Sequence, residues 1–184
     1  MSSYFLIVDL EATCSDDGSI FREEMEIIEI GAVMLNGSTW EIDSEYQQFI
    51  KPVRHPILTK FCTELTTITQ QDVDTALTFP EVIPQFKQWI DTYPKNLFCS
   101  WGNYDKTQLI QDCQFHNIDY PFGAEHRNIK KEFSLYLGNK KKFGMRQALQ
   151  HLGMELQGTH HRGIDDARNI AAIYRYINHN KVEG

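Results

Sequence analysis

Two carboxylates, Asp9 and Glu11, stand two residues apart in the otherwise apolar run FLIVDLEATC, residues 5–14. On an extended strand, residues i and i+2 project to the same face. The two acids therefore lie side by side, with Leu10 turned away. Like charges that close repel, and one takes up a proton unless a cation intervenes. Hard divalent ions such as Mg2+ and Mn2+ favour carboxylate oxygen, and Mg2+ is usually held by a few carboxylates together with substrate phosphate. A D-x-E pair on the solvent face of an edge strand is the plainer alternative, and the pair alone does not decide between them.

Further acids recur at the starts of later elements. CSWGNYDKTQL puts Asp105 just past a second apolar stretch, where a helical pattern begins. THHRGIDDARNIA puts Asp165 and Asp166 at the start of the last helical pattern, with His161 five residues before Asp166. Acids at a helix N-terminus also cap it and complement its dipole. Asp165 reads as such a cap, whereas Asp166, one position inside, can turn toward the first strand. If Asp9, Glu11, Asp105 and Asp166 converge beside one histidine, the set suits two-metal phosphoryl transfer. Two cations about 4 Å apart clamp the attacking and leaving oxygens, and a neutral imidazole can take a proton from water.

The elements that would position these groups follow from periodicity. YFLIVDLEA reads as a buried strand, EMEIIEIGAVMLN as a second ending at the turn signal Asn36-Gly37, and WEIDSEYQQFIKP as a third stopped by Pro52. Three consecutive strands suggest an antiparallel meander. Thr69 reads as an N-cap with Asp72 three residues on. In FPEVIPQFKQWIDTY the apolar residues Phe79, Val82, Ile83, Phe86 and Ile90 recur at helical spacing. NLFCSWG reads as a short strand and NYDKTQLIQDCQFH as a helix. GMRQALQHLGMEL reads as a helix ending near Gly158, and DDARNIAAIYRYINHN as the last. Strands first, then a strand between helices, then helices, predicts an α/β layered domain.

Composition is that of a soluble globular chain: 184 residues, 41% hydrophobic and 23% charged. No apolar run is long enough to span a membrane, and the N-terminus lacks the basic stretch of a signal peptide. The four cysteines are scattered without a C-x-x-C pair, which argues against a zinc site and fits reduced thiols in a cytoplasmic protein. The net charge of −7 counts against nucleic-acid binding as a sum. Its distribution matters more: IKKEF (129–133) and NKKKFGMR (139–146) are basic clusters, although a lysine run is also the ordinary content of a solvated loop.

D-x-E on the first strand, one Asp near mid-chain and H-x4-D before the last helix together resemble the DEDDh class of 3′→5′ exonucleases, which has a ribonuclease H-like fold. The sister class has tyrosine four residues before the last Asp, and Arg162 occupies that place here. DLEATC, EIIEIGAV, FCTELTTITQQDVDTALTFPEV, LGMEL and HRGIDDARNIA are similar to the Eri-type exonucleases, which act on histone-mRNA ends and small RNAs. The resemblance runs from about Phe5 to Ile177. It implies a mixed central β-sheet of about five strands flanked by helices, and one exonuclease domain over 1–184 without the SAP-type RNA-binding segment of some members.

The resemblance also implies roles. Asp9, Glu11, Asp105 and Asp166 would hold two divalent cations, Mg2+ or Mn2+, and His161 would be the general base; His160 stands one residue too far from Asp166 for the pattern. The partner would be nucleic acid, RNA rather than DNA, with no membrane. The backbone N–H groups of Ala12 and Thr13 would hold the 3′-terminal sugar. Tyr104 could stack on the terminal base and Phe61 could close the other side, although both also suit plain packing. Leu65 and Ile68 read as pocket wall or core. Lys106, Lys140, Lys141, Lys142, Arg146 and Arg162 are candidate phosphate contacts. Glu29, an acid inside an apolar strand, either supports the site or faces solvent, because a buried unpaired carboxylate is costly.

Overall fold

The computed structural model describes residues 4–138 and 141–179. The long strands are β1 (Tyr4–Ala12), β2 (Ile27–Asn36), β3 (Ile42–Lys51) and β5 (Asn96–Ser100), with two-residue strands β4 (Leu77–Thr78) and β6 (Arg127–Asn128). They form one six-stranded sheet in the order β4-β3-β2-β1-β5-β6. The first three strands are the expected antiparallel meander. β5 then returns parallel to β1, and β6 parallel to β5. The sheet is mixed, as expected, with one strand more than expected; β4 and β6 are too short to leave a period in the sequence.

Helices α1 (Lys60–Thr66), α2 (Gln70–Asp74), α3 (Phe79–Asp91), α4 (Tyr104–His116), α5 (Ile129–Tyr136), α6 (Met145–His151) and α7 (Gly163–His179) complete the described fold, with one 3-10 turn at Arg22–Glu24. Thr69 caps α2 in a reciprocal box with Asp72, as its spacing predicts. Three expectations need correction. α6 stops by Leu152, since Gly153 turns the chain at φ 68°, well short of Gly158. α7 begins two residues before Asp165, so Asp165 lies inside the helix and is not its N-cap. IKKEF belongs to α5 and is not a solvated loop: Ile129 and Phe133, one turn apart, are buried beneath its lysines.

Strand β1 is buried on both faces. Phe5 and Ile7 pack into a cluster with α5, α6 and α7, through residues such as Phe133, Leu149, Ile170 and Tyr174. Leu6, Val8 and Leu10 pack into a second cluster with α3 and α4, through Val82, Phe86 and Leu109. Fully burying one such aliphatic side chain contributes about 1.5–3 kcal/mol. The alternation that fills both clusters also fixes the next residues: Asp9 and Glu11 continue the Phe5–Ile7 face and look toward the start of α7.

Candidate functional site

The acids of β1 meet α7 where backbone comes directly against backbone. Across the β1–β2 ladder Asp9 lies opposite Gly31 and Glu11 opposite Glu29. A Cβ on Gly31 would come within 1.9 Å of the Gly163 carbonyl carbon, and one on Gly163 within 2.9 Å of the Asp9 carbonyl oxygen. Two glycines thus let the first residue of α7 lie directly on the sheet, three residues before Asp166. Glu29 completes the joint. It is fully buried and accepts hydrogen bonds from Gly163 N–H (3.0 Å), Arg162 Nε (3.2 Å) and Gln47 Nε2 (2.7 Å). Of the two roles open to Glu29, it takes the supporting one. Arg162 also lies 5.1 Å over the Phe49 ring. Its charge is therefore paired within the scaffold, and it stands outside the cleft lining where the expected phosphate contact would lie.

The result is a cleft of about 430 Å³ whose lining includes Asp9, Glu11, Asp105, His160, His161 and Asp166. Asp9, Glu11 and Asp166 each bring a carboxylate oxygen within 4.8 Å of the other two; His160, His161 and Asp166 form a second such group. Asp105 lines the same cleft, and its Oδ1 accepts the Leu10 N–H at 3.1 Å. Burial is the main cause that lifts these carboxyls, and their mutual repulsion adds to it. Asp9 is raised well above the ordinary carboxylate range, Glu11 is pushed up to about 9 and Asp105 to about 6, and Asp166 is also raised. For Asp105 the Leu10 hydrogen bond works the other way. Among the described residues no Lys or Arg lines the cleft to neutralise the group. Clustered oxygen donors whose ionised forms lack a counter-charge are the donor set that a hard divalent cation fits.

The two adjacent aspartates diverge. Asp166 faces the cleft and accepts the His161 N–H at 3.0 Å and a contact from His160 Nδ1 at 2.9 Å. Asp165 turns away. Its carboxylate sits where Gly158 has no side chain, accepts the Thr159 N–H at 2.9 Å and pairs with Arg168 at 3.0 Å. It pins the incoming loop to the first turn of α7. His161 carries a left-handed backbone, φ 63°, and its ring stacks on His160 at 3.9 Å. Burial first, then the neighbouring His160, holds the His161 imidazole below its ordinary value.

Other expected contacts divide. Ala12 and Tyr104 line the cleft. The Arg22 guanidinium lies 5.4 Å over the Tyr104 ring and takes one of its faces. Thr13 is corrected: its N–H already donates to the Glu26 carbonyl (2.8 Å), and its hydroxyl accepts the Glu26 N–H (2.9 Å). A register shift between Glu11 and Ala12 draws the chain into that pairing, so Thr13 has no amide left for a sugar. Phe61 is half-buried on α1 and outside the cleft lining; Leu65, one turn on, is in it, and Ile68 is core. Lys140 lies outside the described residues.

Sequence reasoning missed Trp101, Cys14, Met25, Gly144 and Met145, which also line the cleft. Trp101 carried a signal, an aromatic directly after the β5 run. Its Nε1 donates to the Phe143 carbonyl at 3.1 Å and ties that loop to the end of β5. Among the described residues no helix is long and apolar enough to cross a membrane.

Comparison with known proteins gives the same picture. The RNase_T family model, described as an exonuclease, matches residues 6–174. ERI1 exoribonuclease 3 of Homo sapiens is 37% identical over 182 residues, covering 95% of this chain and 53% of that protein. ERI1 exoribonuclease 2 of Xenopus laevis is 34% identical over 192 residues, covering 92% and 28%. The chain thus spans about half or less of the length of these relatives. A solved structure of the nuclease domain of 3′hExo, a DEDDh family member bound to rAMP, is 33% identical with TM-score 0.91, covering 97% of this chain and 93% of that one. With residues 6–174 of its 184 matched by the family model, the chain belongs to the RNase_T exonuclease family.

Proposed function

We propose that this chain is a 3′→5′ exoribonuclease that trims single-stranded RNA ends and releases nucleoside 5′-monophosphates with the help of two divalent cations, Mg2+ or Mn2+. The observation that carries the reading is the cluster of Asp9, Glu11 and Asp166, with carboxylate oxygens within 4.8 Å of one another and Asp105 lining the same cleft. These four residues would hold the cations, which when bound neutralise the growing negative charge of an in-line phosphodiester displacement and activate water. The relatives named exoribonucleases, and the rAMP in the 3′hExo nuclease domain, support RNA as substrate and a mononucleotide as product.

The chain's own side chains supply the remainder. His161, kept neutral at pH 7 by its lowered pKa, takes the proton from the attacking water. Ala12, small and at the cleft edge, lets the terminal sugar approach β1 closely. Tyr104 offers its uncovered face to the terminal base, a stacking contact of about 1–3 kcal/mol. A single exonuclease domain over 1–184 and a cytoplasmic setting, on the scattered cysteines, complete the proposal.

The test is a 5′-labelled single-stranded RNA incubated with Mg2+ or Mn2+, beside a DNA of the same sequence and a dinucleotide. A ladder shortening from the 3′ end is expected, fastest on RNA, and absent with Asp9→Ala at an unchanged circular-dichroism spectrum. RNA left intact by the wild-type chain in both metals would overturn the proposal; faster loss of DNA or dinucleotide would reassign the substrate.

A further inference from the structure

We propose that a lysine-lined groove beside the cleft holds the phosphodiester backbone of single-stranded RNA on the 5′ side of the nucleotide being removed. This inference rests on the exonuclease reading above. The groove, about 450 Å³, presents Lys130, Lys131 and Lys142 together with Asn103, Asn128 and Ser134, and among the described residues no carboxylate lines it. Among the described residues, none of the three ammonium groups is paired with a carboxylate. In a chain of net charge −7 this is a local inversion of sign.

Continuity with the cleft selects the ligand. Along residues 101–105, Trp101, Tyr104 and Asp105 line the cleft while Gly102 and Asn103 line the groove. Along 142–145, Lys142 lines the groove while Gly144 and Met145 line the cleft. The two depressions therefore share both walls. The walls are also tied: Trp101 Nε1 donates to the Phe143 carbonyl, and Asn128 Nδ2 donates to Asn103 Oδ1 at 3.0 Å. Asn128 additionally accepts the Lys131 N–H at 2.9 Å, which fixes the start of α5 and places two lysines on its first turn. A strand whose 3′ end lies among the carboxylates leaves the cleft over these lysines. Contacts of this kind position a backbone and read no sequence, so the groove confers a preference for length.

The experiment compares kcat/KM on an RNA octamer and a dinucleotide for wild type and for the Lys130→Ala/Lys131→Ala/Lys142→Ala variant. The octamer-over-dinucleotide preference is expected to fall roughly tenfold in the variant, and the log–log salt slope for the octamer to flatten by about 2, at ~0.7 per lost contact on a single strand. A DNA octamer is expected to lose the same advantage, since the contacts are to phosphate. A preference and slope that persist in the variant would overturn the groove. Melting curves check folding, and the triple Lys→Gln variant replaces the first if its melt is altered. If the wild type degrades neither RNA, the exonuclease reading fails and the groove is judged by fluorescence anisotropy of a labelled octamer. Weaker binding by the variant supports it, and equal binding overturns it.

Discussion

His160 and His161 both enter the cleft, yet their surroundings differ. The His160 ring is held against Asp166. His161 presents its ring beside it from a left-handed backbone, a conformation that costs a non-glycine residue roughly 1–2 kcal/mol and that is steadied by the His161 N–H bond to Asp166. We expect His161→Ala to lower kcat by about 10²–10⁴-fold and His160→Ala by less than about tenfold. Wild-type kcat should fall as pH drops through and below the histidine range, because protonation removes the base; the profile of His161→Ala should lose that limb. If His160→Ala carries the large loss, the two exchange roles. The spacing to Asp166 sets these neighbours apart only through the family pattern, and both rings reach the cleft. Thr13 shows the opposite case, because its amide is consumed by Glu26 through a strand irregularity that no residue pattern announces.

At the scale of elements, the site depends on how closely α7 lies on the sheet. Gly31→Ala would push a methyl into the Gly163 backbone, and overpacking of that kind costs about 1–3 kcal/mol. We expect a melting temperature lower by several degrees together with a loss of hydrolysis, because lifting α7 carries Asp166 away from Asp9. Gly153→Ala, strained only by its own φ of 68° with nothing within 4 Å, should lower the melting temperature and spare the activity. Equal activity in the two variants would show that this contact does not position the acids. The longer elements were legible because alternation and helical spacing leave marks of their own. α5 was hidden by its lysines, since two buried residues in eight give a weak stripe, and α1 by its length of seven. Glu29 was visible as an anomaly and its role was not: Arg162 lies 133 residues away, a pairing that only the finished fold creates.

For the molecule as a whole, the acid cluster links stability to pH and to metal. The folded-state pKa of Glu11 is about 9 against an ordinary 4.5, and that of Asp9 is also raised. The folded chain thus holds protons that the unfolded chain gives up, so stability falls as pH rises from about 4.5 toward 9. In EDTA the melting temperature should decline over that window, and Asp9→Asn should flatten the decline. If the acids hold Mg2+ as proposed, the ion at a hundredfold over its Kd should add about 2.7 kcal/mol, roughly 5–10 °C for a chain of this size. That gain should grow with pH and shrink in Asp9→Asn. An identical Mg2+ shift in wild type and Asp9→Asn would place the ion elsewhere. The Arg162 guanidinium pairs with Glu29 and lies outside the cleft lining. With that guanidinium turned toward Glu29, no Lys or Arg side chain among the described lining residues balances the cleft acids, so ionising them calls for a cation from solution.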